Sequence, residues 1–157
     1  RIADPFVATW FGLVHPLLDA LERGGAGPLV AREVVPRLGR LLPSAVEPVV
    51  RDLLAGPAWR DLVPFEAATA GRAWTATSEF DVVLLDEARR RAFVGEIKWS
   101  RGPVGAELLD DLRRRVSADP ILGTLESTVA IVSRSGFSGR RRPGPEERLI
   151  DVSSLRW

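Results

Sequence analysis

A chain of 157 residues with a formal net charge of +1, 45% hydrophobic and 27% charged, has the composition of one ordinary globular domain, or one domain with a helical appendage. Near neutrality removes any global case for nucleic acid, so a basic footprint would have to be local. No cysteine and a single histidine, His15, exclude disulfides, thiolate metal sites and a histidine-built zinc site within one chain. Oxygen ligands remain, which suit magnesium or manganese.

No apolar stretch reaches membrane-spanning length and no signal peptide is visible, so a cytoplasmic protein without membrane contact is expected. The chain begins at Arg1 and holds no methionine, and reads as a piece of a longer protein.

Asp4-Pro5 opens the first predicted helix, an acceptor at the N-cap followed by Pro at the first helical position. Phe6, Val7, Trp10, Phe11, Val14, Leu17, Leu18 and Leu21 recur at helical spacing, with a kink expected at Pro16 and an end at Gly24-Gly25. This wide aromatic stripe is expected to pack on the rest of the domain. A weaker helix covers about Leu29 to Leu42, interrupted by Pro36. Ser44-Ala45-Val46-Glu47 has the form of a capping box and starts a third helix that Gly56-Pro57 stops. Glu47 then has a structural explanation as the capping glutamate.

The pattern is poor from Leu62 to Ala76, where one strand is expected, over Phe65 to Thr69 or Arg72 to Thr77. Phe80 to Leu85 and Ala92 to Trp99 are strand-length apolar runs around a charged break at Asp86 to Arg91, which reads as an antiparallel hairpin. A helix follows over Val104 to Val116, with Leu108, Leu109, Leu112 and Val116 inward and Glu107, Asp110, Asp111 and Arg113 to Arg115 outward. Ser127 to Ser133 is a fully apolar strand, Arg134 to Pro145 a loop, and Leu149 to Val152 a last short strand. The element order is that of an α/β domain behind a helical lead-in.

Into the hairpin the sequence places Glu79, Asp81, Glu96 and Lys98. Side chains alternate along a strand, so Glu96 and Lys98 share one face, and folding the hairpin about Ala88 brings Asp81 to Gly95 and Glu96. Charge on a buried strand is costly unless paired or bound to a metal. Of the 22 basic residues, Lys98 is the one lysine and the rest are arginine. The two are not interchangeable where a compact, titratable charge is wanted.

Asp81, fourteen intervening residues, then Glu96-Ile97-Lys98 on a hairpin between helices resembles the PD-(D/E)XK nuclease superfamily. Across nearly the whole chain, Asp4-Pro5-Phe6, Trp10-Phe11, Val46-Glu47, Leu53-Leu54, Gly71-Arg72-Ala73-Trp74, Glu79-Phe80-Asp81, Gly95-Glu96-Ile97-Lys98-Trp99 and Ser133-Arg134-Ser135-Gly136-Phe137 are similar to the C-terminal domain of archaeal-type DEXX-box ATPases. That family places the domain after an ATPase module and a winged helix, partners absent from this chain, which has no Gly-rich phosphate loop. Ile97 stands where many members carry Cys, and Pro16, Pro36 and Pro43 are further departures.

The resemblance implies a restriction-endonuclease-like αβββαβ core over 44–157 behind a helical lead-in over 1–43. It implies Asp81 and Glu96 as metal-binding carboxylates for Mg²⁺ or Mn²⁺, the Ile97 carbonyl as a further ligand, Glu47 as the helix acid and Glu79 as an extra one. Lys98 would position or deprotonate the attacking water, or steady the phosphate. The expected activity is metal-dependent hydrolysis of DNA phosphodiesters. Arg140, Arg141 and Arg142, between Gly139 and Pro143, are candidate phosphate contacts; with Arg89 to Arg91 and Arg113 to Arg115 they could form a local basic face.

Two bland readings stand beside these. Asp81 can be a hairpin-end charge, with Glu96 and Lys98 a same-face pair. The domain can also be a non-catalytic docking or regulatory module that binds DNA or a partner domain, with Trp74 and Trp99 as sheet cover.

Overall fold

A computed structural model describes residues 4–23, 26–75 and 78–155. The chain divides into two compact units, Arg1–Val46 and Glu47–Trp157. In the first, Asp4 caps α1 (Pro5–Thr9) by accepting from the Val7 N–H at 2.9 Å. A π-helical turn (Trp10–Val14) and a 3₁₀ turn (His15–Leu17) carry the chain past Pro16 into α2 (Leu18–Glu22). A proline cannot donate to the α-helical ladder, and the change of helix type around Pro16 is the local response. α3 (Ala26–Leu29) and a second π-helical turn (Val30–Val34) lead into α4 (Val35–Ala55).

One expectation for this region does not hold. α4 runs through Pro36, Pro43 and Pro48 without a break, so no helix starts at Ser44 and the capping-box explanation of Glu47 falls. The aromatic stripe is unevenly exposed within its own unit. Phe6 is 76% exposed and Phe11 52%, with Val7 and Trp10 also exposed, while Leu13 and Leu17 are buried.

The second unit is a mixed α/β domain. Its sheet has the strand order β1-β2-β3-β5-β7, with β1 (Thr69–Trp74), β2 (Glu79–Asp86), β3 (Arg91–Lys98), β5 (Glu126–Ser133) and β7 (Glu147–Asp151). β1–β2 and β2–β3 are antiparallel; β3–β5 and β5–β7 are parallel. β4 (Val104–Gly105) and β6 (Phe137–Ser138) form a small parallel pair. The helix expected to begin at Val104 therefore begins later, as α5 (Leu108–Ala118).

The hairpin turn is built from its own charges. The Asp86 carboxylate accepts from the Arg89 N–H at 3.2 Å and pairs with Arg91 at 2.6 Å. Arg91 in the first place, with Arg89 beside it, holds that carboxyl below the usual aspartate range. Arg90 sits at φ 54°, a left-handed conformation that costs a side-chain-bearing residue about 1–3 kcal/mol. Its guanidinium bonds the Thr124 carbonyl at 3.0 Å, and its carbonyl accepts from the Glu126 N–H at 3.0 Å, so the turn is tied to β5.

α5 crosses from β3 to its parallel neighbour β5 and lays Leu109, Leu112 and Val116 on the sheet against Phe80, Val83, Ala92, Val94, Val129 and Ile131. On the other face Val82, Leu84, Phe93, Ala130 and Val132 are also buried, which is why β5 reads as an unbroken apolar run. Trp74, expected to cover the sheet, is 66% exposed with Arg72 over its ring at 5.1 Å. No helix among the described residues is long and apolar enough to cross a membrane.

The loop after β5 is pinned by Arg141. Its guanidinium pairs with Asp110 of α5 at 2.7 Å and with both oxygens of Glu147 on β7 at 2.9 and 3.0 Å. Glu147 also accepts from the Gly144 N–H at 2.8 Å. Arg141 foremost, against the opposing effect of burial, holds the Glu147 carboxyl at about 2 rather than 4.5. A depressed carboxyl stabilises the fold above its unfolded value and loses that contribution as the pH falls toward the folded one. In urea melts, the excess stability of wild type over Glu147→Gln is expected to be full above pH 4.5 and to shrink as the pH falls toward about 2.

Candidate functional site

The sheet is irregular at one place, and the candidate site is there. Gly71 pairs with Val83 but Ala73 pairs with Phe80, so Asp81 and Val82 together stand opposite Arg72. This is a β-bulge, a device that re-aims side chains and often lies beside functional sites. It resets the alternation, which is how Phe80 joins Val83 in the α5-side core.

Asp81 is released from normal pairing by the bulge, and its carbonyl and its carboxylate find separate partners. Its carbonyl accepts from Arg51 of α4 twice, at 3.1 Å from Nε and 2.8 Å from Nη2. Its carboxylate accepts from the Ile97 N–H at 2.8 Å. The β2–β3 register runs from Asp86↔Arg91 to Val82↔Gly95, and continuing it by one residue sets Asp81 opposite Glu96. Gly95 permits the close approach, since a Cβ there would lie 3.2 Å from the Val82 Cβ.

Glu96 lies on the α5 face of β3, two residues along from Val94. Its carboxylate is doubly paired: Oε1 with the Lys98 ammonium and Oε2 with Arg115 of α5. Arg115 is held from other sides as well. It pairs with Asp111 at 3.0 Å, donates to the Glu79 carbonyl at 3.1 Å, and lies over the Phe80 ring at 5.7 Å. The outward placement expected for Arg115 is thus corrected. At the margin of the helix's buried stripe, the long side chain reaches back over the sheet.

Electrostatics follow from this geometry. Burial pushes the Asp81 carboxyl above the usual aspartate range; the Ile97 N–H opposes the rise, Glu96 adds to it, Lys98 opposes it and Glu79 adds to it. Ile97 turns its N–H toward Asp81, and the N–H and carbonyl of one strand residue point to the same side, so its carbonyl also lies on the Asp81 side of β3. Lys98 turns the other way, its carbonyl accepting from the Arg134 N–H at 3.1 Å.

Asp81 and Glu96 thus lie near enough for one charge to act on the other, with the Ile97 carbonyl on the Asp81 side of β3. Carboxylate and carbonyl oxygens are the donor types that suit Mg²⁺, which commonly takes one or two carboxylates with water and substrate phosphate making up the rest. Among the described residues no group of three or more His, Asp and Glu side chains stands ready to hold a metal ion. Glu79 is exposed at the neighbouring position. Glu47 is half-buried and four residues before Arg51, hence on the α4 face that Arg51 turns toward Asp81.

The other arginines are largely engaged. Arg89 and Arg91 serve Asp86, Arg90 serves Thr124, Arg113 pairs with Glu146 and Glu147, Arg114 with Asp111, and Arg141 with Asp110 and Glu147. The three triplets do not make one free basic face. Arg140 and Arg142 are exposed.

Residues 10–113 match a family described as archaeal and bacterial proteins of unknown function, DUF234. The chain is also 28% identical to an uncharacterized protein of Methanocaldococcus jannaschii, MJECL04, over 98 residues, which are 62% of this chain and 22% of that protein. The chain thus spans about a fifth of that relative's length. No solved structure matches.

The bulge and its arginine brace can be tested directly. Arg51→Met leaves the Asp81 carbonyl without its two donors, and an unsatisfied half-buried acceptor costs about 1–3 kcal/mol. Urea denaturation is expected to show that loss; an unchanged midpoint would mean that water replaces the brace.

Proposed function

The chain belongs to this family of unknown function, and we propose that its second unit is a PD-(D/E)XK-type domain that hydrolyses DNA phosphodiesters with a divalent metal. The observation that carries this reading is the meeting of Asp81, Glu96 and Lys98 at the end of two adjacent strands, beside a β-bulge. The succession of α4, β1, β2, β3, α5 and β5, with a parallel β3–β5 crossover, supports the restriction-endonuclease-like αβββαβ reading of the mixed α/β fold.

Asp81, Glu96 and the Ile97 carbonyl would hold Mg²⁺ or Mn²⁺, with Glu47 on the facing side of α4 and Glu79 as further oxygen donors. The bound ion would neutralise charge on the scissile phosphate and acidify a water. Lys98 keeps its ammonium against Glu96, where it can orient that water or meet the phosphate. Arg51 fixes the Asp81 main chain so that its carboxylate is aimed rather than free. DNA is the proposed substrate, and the ATPase and winged-helix domains of a longer protein are proposed neighbours.

A second reading is a docking module without catalysis. It is favoured by the double pairing of Glu96 and by the exposed Phe6, Trp10 and Phe11. One assay separates the two. With Mg²⁺ or Mn²⁺, the chain is expected to cut single-stranded, duplex or branched DNA, and Lys98→Ala and Glu96→Ala each to slow cutting by about 100-fold or more. No cutting by wild type together with no divalent-ion binding in calorimetry would leave the docking reading.

DNA contact is assigned to Arg140 and Arg142, with Arg141 holding the loop. Replacing both exposed arginines by Ala is expected to weaken DNA binding and to reduce the salt dependence by about 0.9 per lost phosphate contact, with thermal stability kept. Arg141→Ala is expected to lower the melting temperature instead.

A further inference from the structure

We infer that Arg115 is a resident counter-cation that competes with a divalent ion for Glu96, so that it sets the metal affinity of the site. The inference rests on the metal-site reading above and deepens it. Arg115 is paired with Glu96 Oε2 and Lys98 with Oε1, so both oxygens of the carboxylate that would serve a metal already hold a cation. A divalent ion added beside both would meet two positive groups already seated on its ligand. Binding therefore proceeds by exchange.

The geometry suits exchange. Apart from Glu96, Arg115 keeps Asp111 at 3.0 Å, the Glu79 carbonyl at 3.1 Å and the Phe80 ring at 5.7 Å. These anchors lie on α5 and at the start of β2, so a guanidinium released from Glu96 stays at the site without unfolding anything. Asp111, one helical turn earlier, holds Arg115 by an i,i+4 pair that does not depend on the sheet. Arginine suits this task because its planar fork presents several donors at once and never loses its charge. In the absence of metal it joins Lys98 in compensating the half-buried Glu96 carboxylate, and pairing is the condition under which such a carboxylate is tolerated.

Calorimetric titration of the 157-residue chain with Mn²⁺ tests this. Arg115→Gln is expected to bind Mn²⁺ at least tenfold more tightly than wild type. Arg115→Lys, which keeps the charge and can still pair with Asp111 but loses the fork, is expected to fall between them and is the deciding variant if Arg115→Gln fails to fold. Equal or weaker binding by the Arg115 variants overturns the inference. Asp81→Asn separates the two levels of the argument. If it abolishes Mn²⁺ binding while Arg115 replacement does not tighten it, the counter-cation role alone falls. If Mn²⁺ binds no variant, or binds with Asp81→Asn unchanged, the metal site and the counter-cation fall together.

Discussion

One extra residue in β2 governs the rest. Because Asp81 and Val82 share a single partner position on β1, the strand presents Val82 and Leu84 to one face and Phe80 and Val83 to the α5-side core. The same irregularity takes the Asp81 main chain out of the ladder and gives its carbonyl to Arg51 and its carboxylate to the Ile97 N–H. A regular strand would have used those groups for pairing and aimed Asp81 by alternation alone. The bulge converts a strand position into a fixed carboxylate.

The neighbouring charges depend on that arrangement. Asp81 is buried enough for its carboxyl to titrate above the usual range, and Glu96 adds to the rise. Two carboxylates at adjacent register positions repel, and each is answered separately: Asp81 by a peptide N–H, Glu96 by Lys98 and Arg115. The cations come from different elements, β3 itself and α5, so closing the site and packing α5 on the sheet are one event. Leu112 and Val116 supply the apolar part of that contact and Arg115 the polar part.

Much of this was legible in the residues, and the reasons for the rest are physical. The hairpin, its register about Ala88 and the approach of Asp81 to Glu96 follow from period-two patterning and a charged break, both local signals. The α5 stripe and the β5 run follow likewise, though β4 takes Val104 from the helix by pairing with β6 across more than thirty residues of sequence, a non-local choice. α4 defeated the proline rule because three prolines are absorbed in one helix, where local propensity placed breaks at Pro36 and Pro43. Arg115 was missed for a different reason. Helical spacing assigns it to the margin of the buried stripe, and nothing local distinguishes an arginine that lies in solvent from one that folds back to a carboxylate on the sheet. Arg141 differs from its neighbours Arg140 and Arg142 only through Asp110 and Glu147, which the loop brings to it.

The loss of the capping-box role changes what Glu47 means. At a helix start it would have been explained by its own backbone. Inside α4 it sits one turn before Arg51, whose guanidinium reaches the bulge. Residues four apart on a helix share a face, so Glu47 lies on the same side of α4 as Arg51. The lone lysine fits the same pattern. Among 22 basic residues, the arginines at this site are spent on holding: Arg51 on a carbonyl, Arg115 on Glu96, Asp111 and Glu79. Lys98, with a compact charge on a flexible stem, sits beside Glu96 without a fork to lock it. At this site each arginine ties its own helix to the sheet, while the one lysine brings a single compact charge to Glu96.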